Sequence, residues 1–146
     1  MNSDTLSPKD VFKHFQTLSS VPHCSHDEKR LSDTLVEFAR NNSLEVVQDD
    51  AYNVIIKKPA SKGYEKAPTV ILQGHMDMVC AKTKNSDFDF SKDSLILETK
   101  DGYLSAKDTT LGADNGIAVA MIMAILEDTS LKHPAIEALI TVGEEV

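Results

Sequence analysis

The chain has 146 residues, 41% of them hydrophobic and 26% charged, with a net charge of −8. That is enough for one domain with its own hydrophobic core; the acidic balance argues against nucleic acid as a partner, because phosphate binding needs a basic face, and no run of about 18 apolar residues offers a membrane span. Cys24 and Cys80 are too few and too far apart for a secreted disulfide scaffold and read as reduced thiols, and the polar N-terminus lacks the apolar stretch of a signal peptide, so the cytoplasm is the expected compartment.

In chain order, Ser7-Pro8 predicts a helix start, a serine cap followed by proline at the first helical position. Val11, Phe12, Phe15 and Leu18 supply its apolar stripe, and Pro22 breaks it. Ser25 with Glu28 three residues on has the pattern of a capping box, opening a second helix whose face is Leu31, Leu35, Phe38 and Ala39. Leu44 to Val47 and Asn53 to Ile56 are short β-branched runs that predict strands. Thr69 to Leu72 is an apolar run suited to a central strand covered on both faces. Lys82 to Lys92 is a polar surface loop. Asp101-Gly102 between Leu95–Thr99 and Tyr103–Ala106 is a strong hairpin signal. Ile117 to Leu126 is apolar nearly all round, which predicts a buried helix with Met121 and Met123 packed in the core. Ile136 to Val142 closes the chain as a buried strand. The alternation of helices and strands points to a layered α/β fold. A chain that stops at two acidic residues as a strand leaves the core reads as a fragment of something longer.

Three groups of chemically competent residues fall at the ends of apolar elements. His75 and Asp77 follow a buried strand, Asp114 precedes the buried helix, and Glu144 and Glu145 follow the last strand. Open α/β sheets gather their sites outside the carboxyl ends of their strands, so all three groups are expected at one sheet edge. One imidazole with several carboxylates suits a borderline-hard divalent ion such as zinc, manganese or cobalt. Residues two apart on a strand face the same way, so Asp77 can accept the second N–H of a metal-bound His75 and fix its ring. Glu144 and Glu145, as neighbours in an extended strand, are expected to point apart. Each feature alone has a plainer meaning: Asp114 can cap its helix, and an adjacent glutamate pair is usually solvated surface. The GADNG stretch fits neither dinucleotide nor P-loop spacing. His14, His23, His26 and His133 lie in polar stretches and read as surface residues.

Taken together, SSVPHCSHDEKRLSD, LQGHMDMVCAK, AKDTTLGADNGIAVAM and LITVGEEV resemble the M20 family of metallopeptidases, most closely its aminoacyl-histidine (Xaa-His, carnosinase-like) dipeptidases. The resemblance runs from Phe12 to Val146, and TTLGADNGI is its most specific piece. It implies that residues 1–146 form the N-terminal part of a layered αβα, zinc-exopeptidase-like catalytic domain with a mixed, mostly parallel sheet, truncated on its C-terminal side. It implies two divalent metal ions, zinc first with manganese or cobalt as alternatives. His75 would bind one metal, Asp114 bridge both and Glu145 bind the second. Glu144 would be the general base for a water activated by the metal pair, and Asp77 would orient His75. A cis peptide is implied at Asp114-Asn115. Family members carry a further aspartate and a distant histidine as ligands, and a second domain that mediates dimers in many members; this chain holds none of these.

The implied reaction is metal-dependent hydrolysis of small peptides, favouring Xaa-His dipeptides, with this piece inactive alone. The alternatives are another M20 peptidase, acting on tripeptides or a broad set of dipeptides, an N-acyl amino acid hydrolase, or a non-catalytic α/β fragment. The expected partner is a small peptide substrate, with neither nucleic acid nor membrane involved.

Overall fold

A computed structural model describes residues 6–146. Helix α1, Lys9–Ser19, forms where the Val11, Phe15, Leu18 spacing predicts, and those three side chains are buried. It opens after Pro8, whose extended backbone occupies the capping position without a side-chain cap. The expected serine cap is therefore not made. Helix α2, Lys29–Asn41, buries Leu31, Leu35, Val36 and Ala39 on one face. It too lacks a side-chain cap: Ser25 and Glu28, which pattern as a capping box, are engaged elsewhere.

The strands are β1 (Glu45–Gln48), β2 (Val54–Lys58), β3 (Val70–His75), β4 (Leu97–Lys100), β5 (Tyr103–Ala106) and β6 (Ile136–Thr141), with helix α3 (Ala113–Glu127) between the last two. β4 and β5 are the expected hairpin, and Asp101 and Gly102 both take the positive φ that its two-residue turn demands. The other four make one sheet in the order β1-β2-β6-β3. It is mixed, as expected, but β3 and β6 are its one parallel pair; β1-β2 and β2-β6 are antiparallel. The central strand is β6. β3 is an edge strand, with Val70 42% and Ile71 66% exposed. The apolar run that suggested a covered strand is largely exposed, and β3 is buried only past it, at Gly74 and His75.

Alternation along β2 and β6 sends Val54, Ile56, Ile136, Ala138 and Ile140 to one face, where all are buried among α1, α2 and α3. Fully burying each valine or isoleucine among them contributes roughly 1.5–3 kcal/mol. Ile55 and Leu139, on the opposite face, are only half buried. The described residues thus build two layers, a sheet and one set of helices, of the expected three. Lys58 lies on the helix face and donates from Nζ to the carbonyls of Ile125 (2.9 Å) and Asp128 (2.6 Å), satisfying the C-terminal end of α3. Met123 of α3 is buried, but Met121 is 50% exposed, so the helix is less enclosed than its composition suggested.

Cys24 and Cys80 form a disulfide, with Cα atoms 5.6 Å apart, inside the range a bridge requires. The expectation of free thiols is corrected: 56 residues of sequence separation conceal neighbours in space. His14 and His23 are likewise buried rather than surface residues.

Candidate metal centre

β3 and β6 run parallel and end together, His75 opposite Thr141. Their carboxyl ends carry the site. His75 is buried at the last position of β3, with its Nδ1 3.1 Å from the Asp77 backbone oxygen and 3.4 Å from Asp77 Oδ1. That leaves Nε2 turned outward, 3.3 Å from Asp114 Oδ1 and 3.7 Å from Glu144 Oε2. Ligand atoms of His75, Asp114 and Glu145 all lie within 4.8 Å of one another. The expected set therefore converges, although its members are up to 70 positions apart.

Asp114 arrives from the opening turn of α3. Gly112 precedes it at φ 69, a conformation that costs glycine nothing, and a Cβ there would lie 2.8 Å from Met78 Sδ. Asp114 and Asn115 depart from helical backbone and the bond between them is cis, as the family resemblance implied. Asn115 tucks against β3: a Cβ on Gly74 would lie 2.8 Å from Asn115 Oδ1, so only glycine leaves room. Asp114 itself stays open to solvent, with its side chain 82% exposed.

Glu144 and Glu145 sit in a turn rather than an extended strand, because Gly143 bends the chain at φ 65. What holds that turn is Asp77. It is 1% exposed, and its Oδ1 accepts the Glu144 N–H at 3.1 Å while Oδ2 accepts the Glu145 N–H at 3.0 Å. Ser25 Oγ adds a third bond to Oδ2 at 2.8 Å. Burial pushes the Asp77 carboxyl up, but these donors outweigh it and hold the group below the usual carboxylate range. Asp77 thus touches His75 and organises the glutamates at once. Glu28, also buried, accepts the Gly143 N–H on Oε1 at 3.2 Å. Sequence reasoning missed this use of Ser25 and Glu28. Their S-x-x-E spacing is a local signal for helix capping, and nothing local points to partners 52 and 115 residues away.

One imidazole nitrogen and several carboxylate oxygens, converging at the sheet's end, fit a divalent cation. Among the described residues, the ion-pair partner of both Asp114 and Glu144 is His75. Among the described residues no lysine or arginine forms an ion pair with these carboxylates, which leaves a negative field for a cation to meet.

No family model matches the chain. It is 38% identical over 140 residues to the cytosol non-specific dipeptidase of Escherichia coli, which covers 96% of this chain and 29% of that protein. Its fold matches the aminoacylhistidine dipeptidase of Vibrio alginolyticus with a TM-score of 0.96 at 40% identity, covering all of this chain and 30% of that one. The Bacillus subtilis YXEP protein, a dinuclear metal-binding peptidase of the M20 family, shares the fold at a TM-score of 0.57 and 14% identity over 93% of this chain and 35% of its own. The chain spans about 30% of the length of such relatives. By sequence and fold together, nearly the whole chain is similar to part of a dipeptidase, and it shares its fold with a peptidase of the M20 family.

Proposed function

We propose that residues 1–146 are the N-terminal part of the catalytic domain of a metal-dependent dipeptidase that favours Xaa-His substrates. The observation that carries this reading is the convergence of His75, Asp114 and Glu145 ligand atoms within 4.8 Å, with Glu144 beside them. His75 would hold one cation through Nε2, Asp114 would bridge two, and Glu145 would hold the second. Zinc suits the donors best, with manganese or cobalt as alternatives. When bound, such a pair polarises the peptide carbonyl and makes water a better nucleophile near neutral pH.

The protein's own part is positioning and proton transfer. Asp77 fixes the His75 ring through Nδ1, so that Nε2 is the ligating nitrogen. Glu144 is exposed enough to meet water and substrate; as general base it would take the attacking water's proton and return it to the departing amine. The remaining ligands and the surface that selects a C-terminal histidine would come from outside this chain. A broad dipeptidase is the second reading, favoured by the name of the E. coli relative. The relative's name also supports a cytoplasmic location, and no helix among the described residues is long and apolar enough to cross a membrane; the Cys24–Cys80 disulfide would be uncommon in that compartment.

The test uses the complete protein. It should cleave Xaa-His dipeptides faster than a panel of other dipeptides, tripeptides and N-acyl amino acids, and lose activity on chelation. Glu144→Gln should keep its metal content and lose about 10²-fold or more in kcat. Near-normal turnover in that variant would remove Glu144 from the base role. Equal rates across the dipeptides would favour the broad enzyme.

A further inference from the structure

The loop between α1 and α2 reaches across the molecule to the turn that carries the two glutamates. After β6, the N–H groups of Gly143, Glu144 and Glu145 have no strand to pair with. Each is taken by a carboxylate instead: Gly143 by Glu28 at 3.2 Å, Glu144 and Glu145 by Asp77 at 3.1 and 3.0 Å. Asp77 is in turn held by Ser25 Oγ at 2.8 Å. The loop that presents Ser25 is itself pinned. Ser25 N–H donates to the Met78 carbonyl at 3.3 Å, Met78 N–H donates to the His23 carbonyl at 3.2 Å, and Cys24 is bonded to Cys80. Glu28 is 6% exposed, an unusual place for a glutamate whose role is to start a surface helix.

We propose that Ser25 and Glu28 are positioning residues for the metal centre. They set the Gly143–Glu145 turn, Ser25 through Asp77 and Glu28 directly, so that Glu145 faces His75 and Asp114 and Glu144 stands beside them. Hydrogen bonds of this kind behind a metal site typically change metal affinity or activity by about 10–100-fold when removed. A role in folding alone would instead lower thermal stability and leave the folded protein's site unchanged. The inference rests on the metallopeptidase reading, but the turn's rigidity can be measured without it.

The experiment compares Ser25→Ala and Glu28→Ala with the conservative Ser25→Thr and Glu28→Gln, all in the complete protein. Thr keeps the hydroxyl and Gln keeps an acceptor for the Gly143 N–H. Three readouts are taken: hydrogen exchange of the residue 143–145 amides in metal-free protein, zinc affinity by chelator competition, and kcat and KM separately. The expected result is faster exchange at those amides, zinc affinity and kcat each down about tenfold or more with KM within a few-fold, and recovery in the Thr and Gln variants. Unchanged exchange and unchanged zinc affinity in both alanine variants would overturn the proposal, as would equal losses in the conservative pair. Should Glu28→Ala fail to fold, Ser25→Ala against Ser25→Thr decides the matter by the same readouts. If the wild-type protein cleaves no peptide, the functional reading fails, while exchange and zinc affinity still decide the positioning role.

Discussion

Gly74 has no room for a side chain. It lies one residue before His75 on β3, and a methyl group there would sit 2.8 Å from Asn115 Oδ1 and 3.5 Å from Val119 Cγ2. Asn115 is coupled to Asp114, which it follows in the chain and whose Oδ1 its Nδ2 reaches at 3.5 Å. Gly74→Ala should therefore destabilise the fold by about 1–3 kcal/mol, as overpacking in a tight site does. It should also displace Asp114 from His75 and lower zinc affinity; calorimetric unfolding and chelator competition on the same preparation separate the two effects. Full zinc affinity in a folded Gly74→Ala variant would show that Asn115 relaxes without moving its neighbour. At this scale the convergence of the candidate residues was legible. His75, Asp114 and Glu145 each stand at the end of an apolar element, and the motif order matched a family pattern. Ser25, Glu28 and Asn115 were illegible in those roles because each acts on a residue distant in sequence.

At the scale of elements, α1 and α3 are joined by a pair whose histidine the sequence placed on the surface. His14 Nε2 lies 2.8 Å from Glu127 Oε2, with its ring edge-on to Phe38 of α2 at 5.4 Å between centroids. Burial pushes the His14 pKa below 6.5, the Lys13 charge lowers it further, and the Glu127 and Asp10 carboxylates do not restore it. The arrangement is a neutral imidazole donating its N–H to an ionised carboxylate. As pH falls below the unfolded histidine's pKa, the unfolded chain takes up a proton before the folded one does. Stability is therefore full above about pH 6.5 and is lost progressively as pH falls toward the folded value. Comparing urea midpoints at about pH 7.5 and about pH 5.5 should show a larger drop for the wild type than for His14→Gln. An equal drop in both would mean that the His14 proton is not linked to folding. Element identity was legible because apolar periodicity survives in α1, α2 and β6. The position of β3 was not, since a run of Val70, Ile71 and Leu72 reads alike in a central strand and at an edge.

The whole molecule is a sheet with helices on one face and little on the other. Ile55 and Leu139 are half covered on that second face, and Ile71 beside them is 66% exposed. β3 pairs with β6 on one side, and among the described residues no strand borders its other side. Unpaired backbone groups beside exposed apolar side chains form a template for further strand pairing. The layered plan expected from sequence needed helices on both faces, and among the described residues they cover one. The isolated chain should accordingly self-associate, and light scattering after size exclusion should report a mass above the 16.0 kDa of one copy. Ile71→Lys tests whether this edge is responsible. Position 71 stands opposite Glu137 of β6, so the new ammonium gains a cross-strand partner and the substitution leaves the sheet intact. It also places a charge on the exposed edge, a device that sheets use against edge-to-edge pairing. The variant should move to the monomer mass with its far-ultraviolet spectrum unchanged. Persistent association in Ile71→Lys would show that this edge is not responsible.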